Sequence, residues 1–227
     1  MKTELAVFDM AGTTVYDDHF VHQVLQNTLE DHGTQTSMEE INEVMGWPKP
    51  VAIATLIEQK EGAHPQQTLV AKIHDEFEEN MRLFYQNNPV VKENDGASSI
   101  FQKLKQADIK VTIDTGFSRI IADTIIDRLG WERNGLIDYS ITSDEVDQGR
   151  PHPDMIYRIM ERFSVEDSQS VIKIGDTASD IQQGIAAGCG KVVGITTGAF
   201  SYEQLESEGP THIISHLSEL SAVLHLG

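Results

Sequence analysis

A parallel α/β fold with an all-helical insert after its first strand is predicted by two features of the 227-residue sequence. Short β-branched runs alternate with helical patterns over most of the chain, the pattern of a parallel sheet with helices on both faces. In one long interval near the N-terminus the strands stop and only helical spacing remains. The predicted strands are ELAVF at 4–8, IKVTI at 109–113, YSIT at 139–142, SVIKIG at 170–175, KVVGIT at 191–196 and THII at 211–214. Between them lie amphipathic stretches such as ASSIFQKLKQ, RIIADTIIDRL, PDMIYRIMERF and SDIQQGIAAG. In the interval without strands, apolar residues three and four apart predict helices near 20–32, 38–44, 50–60 and 66–86. The expected organisation is a core formed by residues 1–15 and 91–227, interrupted by a helical insert at 16–90.

Composition narrows the partners. The chain carries 36 acidic and 17 basic residues, a formal net charge of −19. Such a surface repels polyanions, so neither nucleic acid nor an anionic membrane is expected as a partner. An anionic substrate would need positive charge gathered locally, which makes the few Lys and Arg informative. Cys189 has no cysteine to pair with, as fits a reducing compartment. No signal pattern or membrane-length apolar run is present, and the expectation is a soluble cytoplasmic protein.

In open parallel sheets, ligands bind beyond the carboxyl ends of the strands. The residues that follow the predicted strands are Asp9, then Asp114-Thr115-Gly116, then Gly175-Asp176-Thr177. DMAGTT (9–14) taken alone reads as a strand ending in an Asx-type turn. GDTASD (175–180) repeats the arrangement, and a helix starting at Thr177 would turn Asp180 back toward the loop. Taken alone, that pair reads as an N-cap and a surface carboxylate. Together, carboxylates at two neighbouring strand ends suit Mg²⁺, which accepts a few protein oxygens, waters and a phosphate oxygen. TGFSR (115–119) adds a hydroxyl and backbone N–H groups at a helix start, an anion site. GRPHPDM (149–155) sets Arg150 between a glycine and a proline.

These elements, in this order, resemble the haloacid dehalogenase superfamily. The resemblance implies a Rossmann-like core, an aspartyl phosphoenzyme, Mg²⁺ as cofactor and a small phosphonate or phosphate-ester substrate. Carried over by position, Asp9 is the nucleophile and a metal ligand, with the backbone carbonyl of Ala11 and Asp176 completing the metal set. Thr115, Gly116 and Gly12 bind phosphate, Arg150 neutralises it, and Asp180 supports the metal shell or holds Arg150. The helical insert would be the cap that many members carry over the site, and its helices could pair two copies into a homodimer.

One departure from the superfamily carries chemistry. Most of its phosphatases have an aspartate two residues after the nucleophile, acting as general acid and base; here the position is Ala11. A general acid is worth roughly 10²–10⁴-fold in rate, so an alkoxide would leave slowly from this site. VMGWPKP (44–50) puts Lys49 in the first turn of a predicted helix, where spacing alone gives a solvated surface lysine. Ala11 together with MGxxK resembles the phosphonatase family, the phosphonoacetaldehyde hydrolases. That resemblance implies that Lys49 forms a Schiff base with a carbonyl on the substrate and that Met45 lies against the substrate. Other positions differ from that family: Ala52 replaces a histidine, Phe117 a tyrosine, and His19 stands roughly where a cysteine is found. Three readings follow: C–P hydrolysis through Lys49, a phosphate monoesterase resembling phosphoglycolate phosphatase, or a weakly catalytic sensor of a phosphorylated ligand. His19 and His22, near the hinge of the insert, have two readings, contact with substrate or, as favoured, exposed residues at a helix start. His152 reads as a loop residue, and Cys189 as core beside a turn at Gly188 and Gly190.

Overall fold

The computed structural model describes residues 2–226. Strand β1 (Leu5–Phe8) is buried along its whole length, as a strand covered on both faces must be. β2 (Lys110–Thr115), β3 (Tyr139–Thr142), β4 (Val171–Gly175), β5 (Lys191–Ile195) and β6 (His212–Ile214) complete the set predicted from the sequence. All pair in parallel, in the order β3-β2-β1-β4-β5-β6. The chain winds away from β1 in both directions, so the switch point of the sheet lies beside β1.

Register then places the chemistry. Phe8 is level with Ile113 on one side and with Ile174 on the other. The next residues, Asp9, Asp114 and Gly175, therefore reach the same end of the sheet side by side. β2 runs further than the predicted 109–113: Asp114 and Thr115 pair with Ile141 and Thr142 of β3, so they belong to the strand rather than follow it. A carboxylate is tolerated there because cations on neighbouring elements meet it.

Alternation along the strands divides the core. Ala6 and Phe8 face a cluster with Ile100, Phe101, Ile121 and Ile125, from α5 (Ala97–Gln106) and α6 (Arg119–Leu129). Leu5 and Val7 face Met155, Ile159 and Ile181, from α7 (Asp154–Phe163) and α8 (Ala178–Ala186). Burying each such side chain contributes about 1.5–3 kcal/mol. α9 (Tyr202–Ser207) and α10 (Leu220–Val223) close the C-terminal half.

Between β1 and α5 lie only helices: α1 (Phe20–Asp31), α2 (Met38–Glu43), α3 (Lys49–Glu61) and α4 (Gln67–Asn87). Ser37 and Glu40 form a capping box at the start of α2. α3 begins one residue before its predicted start and carries Pro50 in the first turn, where a missing N–H costs nothing. The apolar cluster on the Phe8 side continues into these helices through Leu25, Ile53 and Phe77. The two chain segments that connect sheet and insert run side by side. Val15 bridges Glu93, Tyr16 N donates to Lys92 O (3.0 Å), and Asn94 N donates to Thr14 O (2.8 Å). Among the described residues no helix is long and apolar enough to cross a membrane.

Candidate active site

Asp9 is the first residue past β1, and its N–H donates to Ile174 O of β4 (2.9 Å). The chain then turns tightly: Thr14 N donates to Met10 O (2.8 Å) and Thr14 Oγ1 to Asp9 O (2.7 Å). Gly12 sits at φ +82°, and a Cβ there would lie 2.4 Å from Asp176 Oδ2. The turn thus needs glycine both for its handedness and for its closeness to the second aspartate. Asp176, past the end of β4, is held by Thr13 Oγ1 (3.0 Å) and by Ala199 N (2.7 Å). Thr177 caps α8, its hydroxyl donating to Asp180 Oδ2 (2.6 Å), which turns Asp180 back toward the sheet.

Two buried cations tie these carboxylates together. Arg150 Nη1 lies 2.7 Å from Asp9 Oδ1 and 2.8 Å from Asp180 Oδ1, while Nη2 reaches Asp114 Oδ1 (2.7 Å) and Asp114 O (2.6 Å). Lys173, fully buried within β4, pairs with Asp114 and with Asp180 (3.0 Å). Burial pushes the Asp9 carboxyl up to about 6, against the pull of Arg150. Burial also raises Asp176 well above the ordinary carboxylate range, and the charges of Asp9 and Asp180 add to the effect. Asp180 goes the other way: burial would raise it, but Arg150 and Lys173 outweigh that and hold it low. Arg150 is likewise fixed as a cation, because three carboxylates overcome its burial.

The insert supplies the opposite wall. Gly46 has φ +82°, and a Cβ there would fall 2.2 Å from Ser179 Oγ and 2.6 Å from Thr177 Oγ1. The Met45-Gly46 turn therefore lies directly on the start of α8, and α3 begins just beyond it. Lys49, the first residue of α3, is only 5% exposed. The solvated surface lysine that its spacing suggested is not what forms. Burial lowers its amine to about 8, the charges of Asp9 and Asp17 resisting and that of Arg150 assisting. Asp9, Ala11, Met45, Lys49, Thr115, Gly116, Arg150, Asp176 and Asp180 line one small cavity of about 40 Å³.

Residues 6–195 of the chain match the family model for haloacid dehalogenase-like hydrolases. The chain belongs to that family. Over 94% of its length and 84% of the relative's, the hydrolase is 29% identical to the phosphonoacetaldehyde hydrolase of Bacillus mycoides. Its fold superimposes on a phosphonoacetaldehyde hydrolase-like protein from Oleispira antarctica with a TM-score of 0.81, at 22% identity over 99% of this chain and 92% of that one. A predicted phosphoglycolate phosphatase from Haemophilus somnus gives a TM-score of 0.80 at 16% identity, over 98% of each chain.

Not every expected site residue of the hydrolase meets the cavity. Gly12 stands behind its wall, its carbonyl accepting from Thr197 Oγ1 (2.6 Å) and Asn94 Nδ2 (3.1 Å). His19 is exposed and His152 lies in an exposed loop, as expected. Cys189 is buried in the core, where burial pushes its thiol up to about 12. His22 is a correction: only 2% exposed, it lines the cavity, because it shares a face of α1 with buried Leu25 and Leu29. Two polar residues were not singled out: Asp17 lines the cavity, and Lys173 anchors Asp114 and Asp180. Asp114 and Thr177 were placed at strand ends without a role, and they hold Arg150 and Asp180, respectively. A lysine inside an apolar strand, and a histidine in register with two leucines, were the available signals.

Proposed function

We propose that the chain hydrolyses a small organophosphorus compound through an aspartyl phosphate on Asp9, with a C–P bond next to a carbonyl-bearing carbon as the favoured target. The observation that carries this reading is Lys49: a buried amine, held near 8, facing the same cavity as Asp9 in a site that has Ala11 where an acid would stand. About a tenth of such an amine is neutral at pH 7, enough for condensation with a carbonyl. Residues 16–90 act as a cap whose contribution to the chemistry is this lysine, and residues 1–15 with 91–227 supply the rest.

The donor set fits a magnesium ion. Asp9, Asp176 and Asp180 each offer an oxygen, all within 4.8 Å of one another. Four buried carboxylates, counting Asp114, face two paired cations, Arg150 and Lys173, so the cluster has an excess of negative charge that a divalent cation offsets. Asp9, Asp176 and the Ala11 carbonyl would hold it, with Asp180 behind them on Arg150 and Lys173. Mg²⁺ when bound polarises a phosphoryl oxygen and offsets anionic charge.

Lys49 loses water with the substrate carbonyl to form an iminium. A carboxylate oxygen of Asp9 attacks phosphorus, the C–P bond breaks, and its electron pair moves into the iminium. Asp9 is left as an acyl phosphate and Lys49 as an enamine. Protonation on carbon and attack of water on both adducts release phosphate and the carbonyl compound with hydrogen in place of phosphorus, and free Lys49 and Asp9. Arg150, 2.7 Å from Asp9, aligns the nucleophile and balances charge on the phosphoryl group. Thr115 and Gly116 line the same cavity and would bind the phosphoryl oxygens. No alkoxide departs, so a general acid at position 11 is not required.

The test is Lys49→Arg beside Lys49→Ala, with borohydride added to wild type and substrate. The expected result is two equally inactive variants and a trapped adduct on Lys49. An active Lys49→Arg without an adduct would instead support a phosphate monoesterase in which Lys49 holds an anion. A lysine near 8 is still mostly charged at neutral pH, and Ala52 leaves it without a polar neighbour at that position, which is what favours this second reading.

A further inference from the structure

We infer that His22 is a substrate-binding residue, its Nδ1 accepting a hydrogen bond from a hydroxyl or amine on the carbon chain of the substrate. The inference rests on the proposal that the Asp9 cavity performs phosphoryl transfer, and it goes further by assigning the substrate's functional groups. His22 is 2% exposed and lines the same cavity as Asp9, Met45 and Lys49. Its Nε2 lies 2.9 Å from Asn42 Oδ1, an oxygen that can only accept, so Nε2 bears the ring proton. Nδ1 is then a lone-pair acceptor, and it is buried with no hydrogen-bond partner among the described residues. His19 packs edge-on against the ring, with centroids 5.0 Å apart, and does not satisfy that nitrogen. Burial, together with the nearby charges of His19 and Lys49, holds the imidazole below its ordinary value and hence neutral at pH 7.

A buried acceptor without a partner is costly unless a ligand supplies the donor. Asp17 adds a second acceptor to the same wall. Its Oδ1 takes the N–H groups of Phe20 (2.8 Å) and Val21 (3.3 Å), and its other oxygen makes no hydrogen bond among the described residues. The insert's wall therefore offers two acceptors and one amine, whereas Arg150 and the phosphoryl-facing groups belong to the opposite wall. A substrate bearing hydroxyl or amino hydrogens is complementary to that wall, and one bearing a second carboxylate meets Asp17.

The experiment compares matched compounds that differ only in a donor. One series is an aldehyde phosphonate with hydrogen, hydroxyl or amino on the carbon bearing phosphorus. The other is ethyl, 2-hydroxyethyl and 2-aminoethyl phosphate. We expect wild type to favour a donor-bearing member by about 10- to 100-fold in kcat/KM. His22→Phe should reduce that preference to about one, whatever its effect on the donor-free member. His22→Gln, which keeps an acceptor, should restore part of it. Asp17→Asn separates the two donors: it should diminish preference for the amine and spare that for the hydroxyl. If only monoesters are cleaved, with a preference that His22→Phe removes, the Lys49 chemistry fails and the assignment of His22 stands. Where turnover is absent, calorimetric binding of the same compounds to wild type and His22→Phe gives the same comparison. No donor preference in wild type, or one that survives in His22→Phe, would overturn the inference.

Discussion

On the sheet side of the cavity, Arg150 touches Asp9, Asp114 and Asp180, and Lys173 pairs with two of the same carboxylates. On the insert side, Lys49 makes no ion pair among the described residues and His22 keeps an unpaired nitrogen. The first wall is cross-braced: Arg150, Lys173, Asp114 and Asp180 each meet two or three neighbours on different elements, and Arg150 in turn holds Asp9, so the Asp9 carboxylate is aligned before any substrate arrives. The second wall is under-satisfied, and its polar groups are completed only by what binds. The difference separates what a reaction needs, which is fixed geometry, from what recognition needs, which is unused hydrogen-bonding capacity.

The largest effect should come from Asp9→Asn. The amide keeps the volume but cannot form the acyl phosphate, so turnover should fall by roughly 10³-fold or more. Phosphate release above a tenth of the wild-type rate would take the nucleophile role away from Asp9.

Arg150→Met should follow, because it leaves Asp9 without a paired cation and Asp114 and Asp180 with Lys173 alone. Breaking such a buried network costs about 3–5 kcal/mol, read as a lowered urea midpoint. A loss well below 1 kcal/mol would mean that the sheet-side wall does not depend on this residue.

Asp176→Ala should weaken Mg²⁺ binding more than Asp180→Ala does, since Asp180 is occupied by Arg150, Lys173 and Thr177. A supporting residue costs about 10- to 100-fold in affinity. Equal losses by calorimetry would make both aspartates direct ligands.

The last effect concerns the insert side and is read as a slope of stability against pH. The folded state lowers Lys49 from 10.5 to about 8, so between those values the unfolded chain binds more protons and stability rises with pH. The rise amounts to at most about 1.4 kcal/mol per pH unit, and it is complete above 10.5. Lys49→Met should lack it. Parallel stability curves for wild type and variant between pH 8 and 10.5 would mean that the amine is not desolvated as described.

Much of the sheet could be read in advance because strands buried on both faces are written as unbroken apolar runs. Asp9 and Asp176 were legible as strand-end residues beside glycine turns, whereas Arg150, in a loop where a lone arginine is usually at the surface, was picked out only by the family resemblance. What was harder to read depends on tertiary pairing. Asp114 looked like a residue after a strand, because nothing local shows that Arg150 and Lys173 will pay for its burial within β2. His22 looked exposed because it lies early in α1, and only the packing of α2 against that turn, with Asn42 bonded to the ring, buries it. Lys49 looked solvated because local spacing does not reveal that Gly46 presses the insert onto Ser179.

The junction at Val15 and Glu93 bears on how such enzymes diversify. Entry and exit of the insert are neighbours, hydrogen-bonded across Tyr16 and Lys92 (3.0 Å), so the sheet experiences the intervening helices as little more than a closed loop. The entropy of closing a loop grows only slowly with its length. Helices can therefore be exchanged, lengthened or replaced between those two points with no shift in the register that aligns Asp9 with Asp114 and Gly175. Substrate preference and catalytic geometry are thereby placed on separate evolutionary footings, and a transplanted insert from another hydrolase would need to match only a two-stranded junction.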